Sequence, residues 1–187
     1  MAIMPYPAHL SREARLRDGR SYLLRPIQAE DADRLQRFTR GLSQQSRYFR
    51  FISTLNELTP RMLVRYTQID YDRELALVVT TAGIPGQTPI SGIARLLIDP
   101  DGERAEFAIL LHPEISGQGL GRLVLERIIA QARAQGLAEL YGEVARDNRA
   151  MLRLAEKLGF AAQPLPESPD LVRVCLALTD SATNAHS

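Results

Sequence analysis

The chain has 187 residues, 45% of them hydrophobic, and its 23 Lys and Arg against 22 Asp and Glu give a net charge of +1. This balance, with acids interspersed among the N-terminal arginines, does not indicate a nucleic-acid partner. No apolar run is long enough for a membrane span and residues 1–10 carry no secretion signal, so we expect one soluble cytoplasmic domain.

The first predicted elements are two helices. One runs from about Ala29 to Leu42, and Thr59-Pro60 opens the second, because proline fits the first turn of a helix. Three strands follow, at 73–82, 90–99 and 104–111; they are rich in apolar and β-branched residues, and turn-rich segments separate them. Short turns between successive strands favour antiparallel pairing.

The segment from Ser116 to Arg122 has glycine at every second position directly ahead of an amphipathic helix that ends at Gly136. Glycine permits a positive φ and close approach of a ligand, and the unpaired N–H groups at a helix start attract an anion. The segment therefore predicts a phosphate cradle, although an ordinary tight turn is the alternative. The residues of this cradle are Gly117, Gln118, Gly119, Leu120, Gly121 and Arg122, whose charge would add to the N–H groups.

Three kinds of phosphate loop can be compared with this segment. A nucleoside-triphosphate loop needs Gly-Lys-Ser/Thr, whereas Arg122-Leu123 follows Gly121. A dinucleotide fingerprint needs a third glycine where Arg122 or Leu123 stands. The arrangement of strand, loop and helix, followed by another strand and helix, resembles the acyl-CoA site of the GNAT superfamily of N-acyltransferases. Ser116 stands where that family usually has Gln or Arg.

The segment after the cradle resembles the second half of the same family. A strand is predicted at 139–145, and Asp147-Asn148 caps a helix that ends at Gly159-Phe160. The resemblance implies that Asn148 touches the pantetheine arm of the cofactor, while its position also predicts a helix N-cap. Either role alone, or both together, would explain the residue.

A closer resemblance is to the protein lysine acetyltransferases of the bacterial Pat type, and it covers about Asp18 to Cys175. It implies an α/β (α+β) fold: a single GNAT-like domain at 18–178, with a mixed, mostly antiparallel central sheet flanked by helices. Residues 1–17 are then an N-terminal extension and 179–187 a disordered tail. The similar segments are Arg25-Pro26, Ser46–Phe51, Leu58–Pro60, Gln68–Leu77, Arg104–Ala108, Gly142–Val144 and Asn148–Met151.

Glu106 is the candidate general base. An amine nucleophile is protonated at neutral pH and must lose a proton before it attacks a thioester. Apolar neighbours on the strand would raise the pKa of the Glu106 carboxyl towards a useful range, and the resemblance implies the same role. The alternatives are a surface carboxylate paired with Arg104, and Glu143 as the base.

The resemblance also implies a bulge at the end of the strand that carries Glu106. Free backbone N–H groups there would hold the pantetheine arm and polarise the thioester carbonyl. These groups would belong to Ile109, Leu110 and Leu111.

The implied reaction is acetyl transfer from acetyl-CoA to a lysine of a protein, often an acyl-CoA synthetase. The helix at 29–42, the turn at 43–51 and the helix after Thr59 would form one wall of the acceptor groove. An acidic cluster, which a solvated loop edge explains equally well, would attract the lysine; it comprises Asp70, Asp72 and Glu74.

Two other functions stay open: acetylation of a small-molecule amine, and a non-catalytic acyl-CoA-binding sensor. Ala155 and Ser116 favour the sensor slightly, Ala155 because many members of the family place there a tyrosine that protonates the departing thiolate. Glu106 and the similar segments on the acceptor side favour the enzyme more strongly. The three scattered histidines lack the spacing of a metal site, so no metal is expected. The sequence carries no signal that sets an oligomeric state.

Overall fold

The computed structural model describes residues 5–42 and 57–179. The predicted turn at 43–51 and residues 180–187 of the predicted tail lie outside the described residues. The strands are β1 (Arg12–Arg15), β2 (Ser21–Pro26), β3 (Glu74–Thr80), β4 (Ile90–Ile98), β5 (Arg104–Leu111), β6 (Glu139–Ala145), β7 (Ala161–Pro164) and β8 (Leu171–Ala177); the helices are α1 (Ala32–Arg40), α2 (Pro60–Thr67), α3 (Leu120–Ala134) and α4 (Arg149–Lys157). These strands form one sheet in the order β1-β2-β3-β4-β5-β6-β8-β7.

Every neighbouring pair of strands in the sheet is antiparallel except β5 and β6, which are parallel. The predicted mixed, mostly antiparallel sheet with flanking helices is therefore confirmed. The N-terminal extension contributes β1, which pairs with β2 at one edge of the sheet. Within the described residues, no helix has the length and hydrophobicity needed to cross a membrane.

The two faces of the sheet are covered by different helices. Helix α3 packs on one face through Val124, Leu125 and Ile128, which are fully buried. Helix α1 packs on the other face through Leu35 and Phe38. At about 25 cal/mol per Å² of apolar surface, burial on both faces is the main stabilisation of this three-layer arrangement.

Strands β5 and β6 separate soon after they meet. Their parallel pairing joins Arg104–Glu106 to Glu139–Tyr141, whereas β5 continues along β4 as far as Leu111. Beyond Glu106 and Tyr141 the two strands are no longer paired, which leaves a wedge-shaped opening in the sheet. The wedge lies between the end of β5 and the β6–α4 connection.

Gly142 sits at the closed end of this wedge, against the ring of Phe107. A Cβ added at Gly142 would lie 2.6 Å from Cε1 and 2.7 Å from Cζ of Phe107. The ring has little room to move, because it packs edge-on against Phe160 with 5.5 Å between the centroids.

We therefore expect Gly142→Ala to lower the free energy of unfolding by about 1–3 kcal/mol through overpacking. Urea unfolding followed by circular dichroism measures the change. Gly41→Ala is the matched control, since its added Cβ would come no closer than 3.6 Å to other atoms. Equal stability of the two variants would contradict the prediction.

Candidate active site

A groove of about 570 Å³ occupies the wedge between β5, the glycine-rich loop, α3 and α4. It brings together most of the residues predicted to bind a cofactor. Gln118 and Leu120 are the exceptions: their side chains do not line the groove, and the Leu120 side chain is buried in the core. The predicted residues that line it are Ile109, Leu110, Leu111, Gly117, Gly119, Gly121, Arg122 and Asn148.

The edge of β5 supplies main-chain groups to the groove. The N–H of His112 donates to the Ser91 carbonyl at 2.7 Å, and the N–H of Asp99 donates to the Arg104 carbonyl at 2.8 Å. Because antiparallel hydrogen bonding alternates, the even-numbered residues of β5 face β4. Ile109 and Leu111 therefore turn their main-chain groups away from β4, towards the wedge.

The predicted bulge at the end of β5 is wrong. The register between β4 and β5 runs without a shift from Ala105 to Leu111, and Leu110 directs its main-chain groups to β4. The main-chain groups facing the groove are exposed instead because β6 separates from β5. The end of the parallel pairing between β5 and β6 thus exposes main-chain groups of β5, which is the role predicted for the bulge.

The glycine-rich loop has the backbone geometry of an anion cradle. Gly117 has φ +74° and Gly119 has φ +91°, a region that disfavours side chains. Gly119 is the N-cap of α3 and has no side chain that could cap the helix, and the first turn contains no acidic residue. The first-turn N–H groups therefore lack carbonyl partners within the helix and carry the positive end of its dipole.

Gly121 lies inside α3 rather than in the turn. A Cβ built at Gly121 would sit 3.7 Å from Leu111 Cδ1 and 3.7 Å from Leu154 Cδ2, which is ordinary contact distance. The small residue at this position keeps the groove open between β5 and α4.

Four cationic residues line the groove: Arg17, Arg122, Arg153 and Lys157. Arg122 Nε donates to Glu126 Oε1 at 2.8 Å, one turn later, so part of its charge is neutralised. Sequence reasoning did not select the other three as site residues. Lys157 follows Ala150 and Leu154 on one helical face, a spacing that could have revealed it, whereas no local signal marks Arg17. Among the residues that the structure describes, no group of three metal-ligating side chains occurs.

Asn148 caps α4 as predicted. Its Oδ1 accepts a hydrogen bond from the N–H of Met151 at 3.2 Å. This cap uses the carbonyl oxygen of the side chain, and Asn148 also lines the groove. The Nδ2 hydrogens are therefore left for a ligand.

Glu106 lies at the closed end of the wedge, as the last residue of β5 that pairs with β6. It is half-buried, and its partner in register on β6 is Tyr141. The neighbouring residues Ala105 and Phe107 are buried on the α3 face, so the Glu106 carboxylate is on the face that carries α1 and α2. The side chain of Arg104, the predicted alternative partner of Glu106, has its Nη2 3.5 Å from Asp99 Oδ2.

Tyr141 stays a neutral hydrogen-bond donor beside Glu106. Its hydroxyl donates to Asp99 Oδ1 at 3.0 Å. Burial, the hydrogen bond to Asp99 and the charges of Asp99 and Glu106 raise the pKa of Tyr141 to about 12. The phenol is therefore protonated at neutral pH and remains able to donate a hydrogen bond.

Glu143, the alternative base, is engaged elsewhere. Its side chain is 5% exposed and accepts a hydrogen bond from Arg173 Nη2 at 2.9 Å. The bond to Glu143 raises the pKa of the Arg173 guanidinium. This ion pair joins β6 to its antiparallel neighbour β8.

The three acidic residues ahead of β3 do not form one exposed cluster. Asp70 and Asp72 are exposed, and Asp70 Oδ1 accepts from the N–H of Asp72 within their turn. Glu74 is buried as the first residue of β3. An incoming cation would meet only the two aspartates.

Glu74 instead forms ion pairs with two arginines, Arg65 of α2 and Arg95 of β4. One carboxylate oxygen accepts from Arg95, which is 1% exposed, and the other from Arg65 at 2.7 Å. The Arg95 guanidinium also donates to the Tyr66 carbonyl and lies 4.8 Å from the centre of the Tyr66 ring. Burial lowers the pKa of Arg95, and the charge of Glu74 opposes that effect. This network, Arg65–Glu74–Arg95, ties α2 to β3 and β4.

Comparisons with known proteins agree with this geometry. The sequence profile described as Acetyltransferase (GNAT) domain matches residues 22–161. An acetyltransferase of Pseudomonas aeruginosa is 32% identical over 163 residues, which cover 87% of this chain and 87% of that protein. Acetyltransferase Pat of Mycolicibacterium smegmatis is 26% identical over 145 residues, 77% of this chain but 42% of Pat. The crystal structure of the GNAT domain of S. lividans PAT is 28% identical, with a TM-score of 0.78 over 93% of this chain and 100% of that domain.

Proposed function

Because this chain belongs to the GNAT family of acetyl-CoA-dependent acetyltransferases, we propose that it acetylates the ε-amine of a lysine in an acceptor protein. The observation that carries this proposal is the position of Glu106 where β5 and β6 separate, outside the groove lining, with the glycine-rich loop beyond the other end of β5. A carboxylate at one end and an anion cradle at the other suit an elongated acyl-CoA. The likeness to the GNAT domain of S. lividans PAT favours a protein acceptor.

In the proposed reaction Glu106 is the general base. The acceptor lysine enters as an ammonium, whose ordinary pKa is about 10.4, and gives a proton to the Glu106 carboxylate. Acetyl-CoA supplies the thioester: the amine nitrogen bonds to its carbonyl carbon and loses a second proton to water, the carbon–sulfur bond breaks, and the thiolate takes a proton. Ala155 is buried at the position of the family's tyrosine, so water protonates the thiolate.

The edge of β5 holds the acyl arm and stabilises the developing oxyanion. Ile109 and Leu111 turn main-chain groups to the groove, where N–H donors are preorganised and need no reorientation during the reaction. The amide of Asn148 contacts the arm from the opposite side, and the start of α3 receives the pyrophosphate. Both substrates would then be held together for direct transfer.

Thiol release from acetyl-CoA, with purified acyl-CoA synthetases and a panel of small amines as separate acceptors, tests this function. Turnover with a synthetase, and acetyl-lysine found on it by mass spectrometry, is the expected result. Turnover with small amines alone would keep the mechanism and replace the acceptor. Tight binding of acetyl-CoA without turnover on any acceptor would indicate a sensor instead.

Gly121→Val should weaken acetyl-CoA binding without unfolding the protein. The Cβ meets only ordinary contacts with Leu111 and Leu154, but the added methyl groups would occupy the narrow part of the groove. We expect the dissociation constant to rise at least tenfold by calorimetry, and the melting temperature to change little. Wild-type affinity in the variant would contradict the placement of the cofactor in this groove.

Asn148→Asp separates the two roles of Asn148. Aspartate caps a helix as well as asparagine does, but a carboxylate cannot donate to the pantetheine arm. We expect unchanged stability and an acetyl-CoA dissociation constant about three- to tenfold higher. Normal affinity of this variant would mean that Asn148 is a cap alone. The comparison variant Asn148→Ala should lose about 1 kcal/mol of stability as well.

A further inference from the structure

The hairpin β1–β2 places an arginine against the phosphate cradle. Arg17 lines the groove, and its Nε would lie 3.9 Å from a Cβ built on Gly119, the N-cap of α3. The side chain is exposed and makes no ion pair or hydrogen bond with any residue in the described part of the chain. A cation that has no partner among residues 5–42 and 57–179 therefore lies beside the unpaired N–H groups at the start of a helix.

The position of Arg17 is set by the fold around it. The flanking residues Ala14 and Leu16 are buried in the main core. The Leu16 N–H donates to the Arg20 carbonyl at 2.8 Å, which closes the turn. Arg20 pairs with Asp18 at 2.7 Å and donates through Nη2 to the Glu114 carbonyl at 3.0 Å, two residues before the glycine-rich loop begins.

The charged side chains that line the groove in the described part of the chain are all positive. Its described lining contains four cations and no acidic side chain. Arg122 shares its charge with Glu126, whereas Arg17 offers a complete guanidinium fork, which matches the geometry of phosphate oxygens. The Ser116 hydroxyl, at the start of the loop, donates to the His112 carbonyl at 3.3 Å.

We propose that Arg17 binds the pyrophosphate of acetyl-CoA, so that the N-terminal hairpin is part of the cofactor site. This inference rests on the proposed placement of acetyl-CoA in the groove. It adds a binding residue outside the glycine-rich loop and predicts that affinity for the cofactor depends on residues 12–20. Because Arg17 is exposed, its contribution decreases as salt screens the charges.

Calorimetry with CoA and with dephospho-CoA, which lacks only the 3′-phosphate, tests the assignment. Arg17→Ala should raise the dissociation constant of both ligands about tenfold, which corresponds to about 1.4 kcal/mol. Arg17→Lys, which keeps the charge but not the fork, should recover part of the loss. The difference between wild type and Arg17→Ala should shrink between 50 mM and 500 mM salt, a change that a purely structural role would not produce.

Arg15→Ala is the matched control, since Arg15 is exposed on the same hairpin and does not line the groove. Equal affinities of the Arg15→Ala and Arg17→Ala variants would overturn the inference. A loss that occurs with CoA but not with dephospho-CoA would assign Arg17 to the 3′-phosphate and overturn the pyrophosphate assignment. Failure of the wild-type protein to bind either ligand would instead contradict the placement of the cofactor.

Discussion

Glu106→Gln should lower the turnover number about 100- to 10,000-fold while leaving acetyl-CoA affinity unchanged. Glutamine keeps the size and polarity of the side chain but cannot accept a proton from the lysine ammonium, and general-base catalysis typically contributes this range. The residual rate should increase with pH, because only the deprotonated amine then attacks. Steady-state rates from pH 6 to 9.5, together with calorimetric binding of acetyl-CoA, measure both effects.

Glu103→Gln is the matched control for this variant. Glu103 is exposed, one residue before β5, and lies on the same segment as Glu106. We expect it to keep wild-type turnover. If Glu106→Gln retained full turnover at neutral pH with normal cofactor binding, Glu106 would not be the base; a large loss in Glu143→Gln with intact folding would then assign the role to Glu143.

Arg95→Met should destabilise the protein by about 3–5 kcal/mol, because it leaves the buried carboxylate of Glu74 without its buried partner. The substitution also removes the contacts of Arg95 with the carbonyl and ring of Tyr66, so α2 loses part of its attachment to the sheet. Urea unfolding at pH 7, followed by far-ultraviolet circular dichroism, gives the free energy.

Arg65→Met removes the other cation from Glu74 and is the natural comparison. The Arg65 side chain is 57% exposed, so this ion pair should contribute at most about 1 kcal/mol. The double variant Glu74→Leu with Arg95→Met should recover most of the stability lost in Arg95→Met, since no buried charge is then left unpaired. If Arg65→Met and Arg95→Met lowered the free energy of unfolding equally, burial of the Glu74–Arg95 pair would not be the cause of the loss.

The strands that alternate in burial were predictable from the sequence. β6 was expected at 139–145 and occupies Glu139–Ala145, because every second side chain of this strand is buried. Strands β1, β2 and β7 were missed for a physical reason. β1 has a single buried residue, β2 changes from exposed at Ser21 to buried at Pro26, and all four residues of β7 are exposed, so none of them carries an alternating pattern.

The residues of the candidate site also fall into two groups, those that a local sequence pattern predicts and those whose positions depend on distant parts of the chain. The glycine-rich loop was recognisable because its function depends on consecutive backbone conformations, which short sequences encode. The predicted acidic cluster failed at Glu74 because its environment depends on Arg95, a partner on another strand. Arg17 reaches the loop only through the pairing of β1 with β2, and no pattern within the first twenty residues encodes that contact.

The short parallel junction between β5 and β6 has a mechanical consequence. Within the described chain it is the only strand pairing that connects β1–β5 with β6–β8, and it spans three residue pairs. We therefore expect the amides of this junction to exchange with local free energies below that of global unfolding when no ligand is bound. A ligand lying along the wedge would contact both parts of the sheet, β1–β5 and β6–β8. Amide hydrogen exchange at the junction should therefore slow as ligand is added.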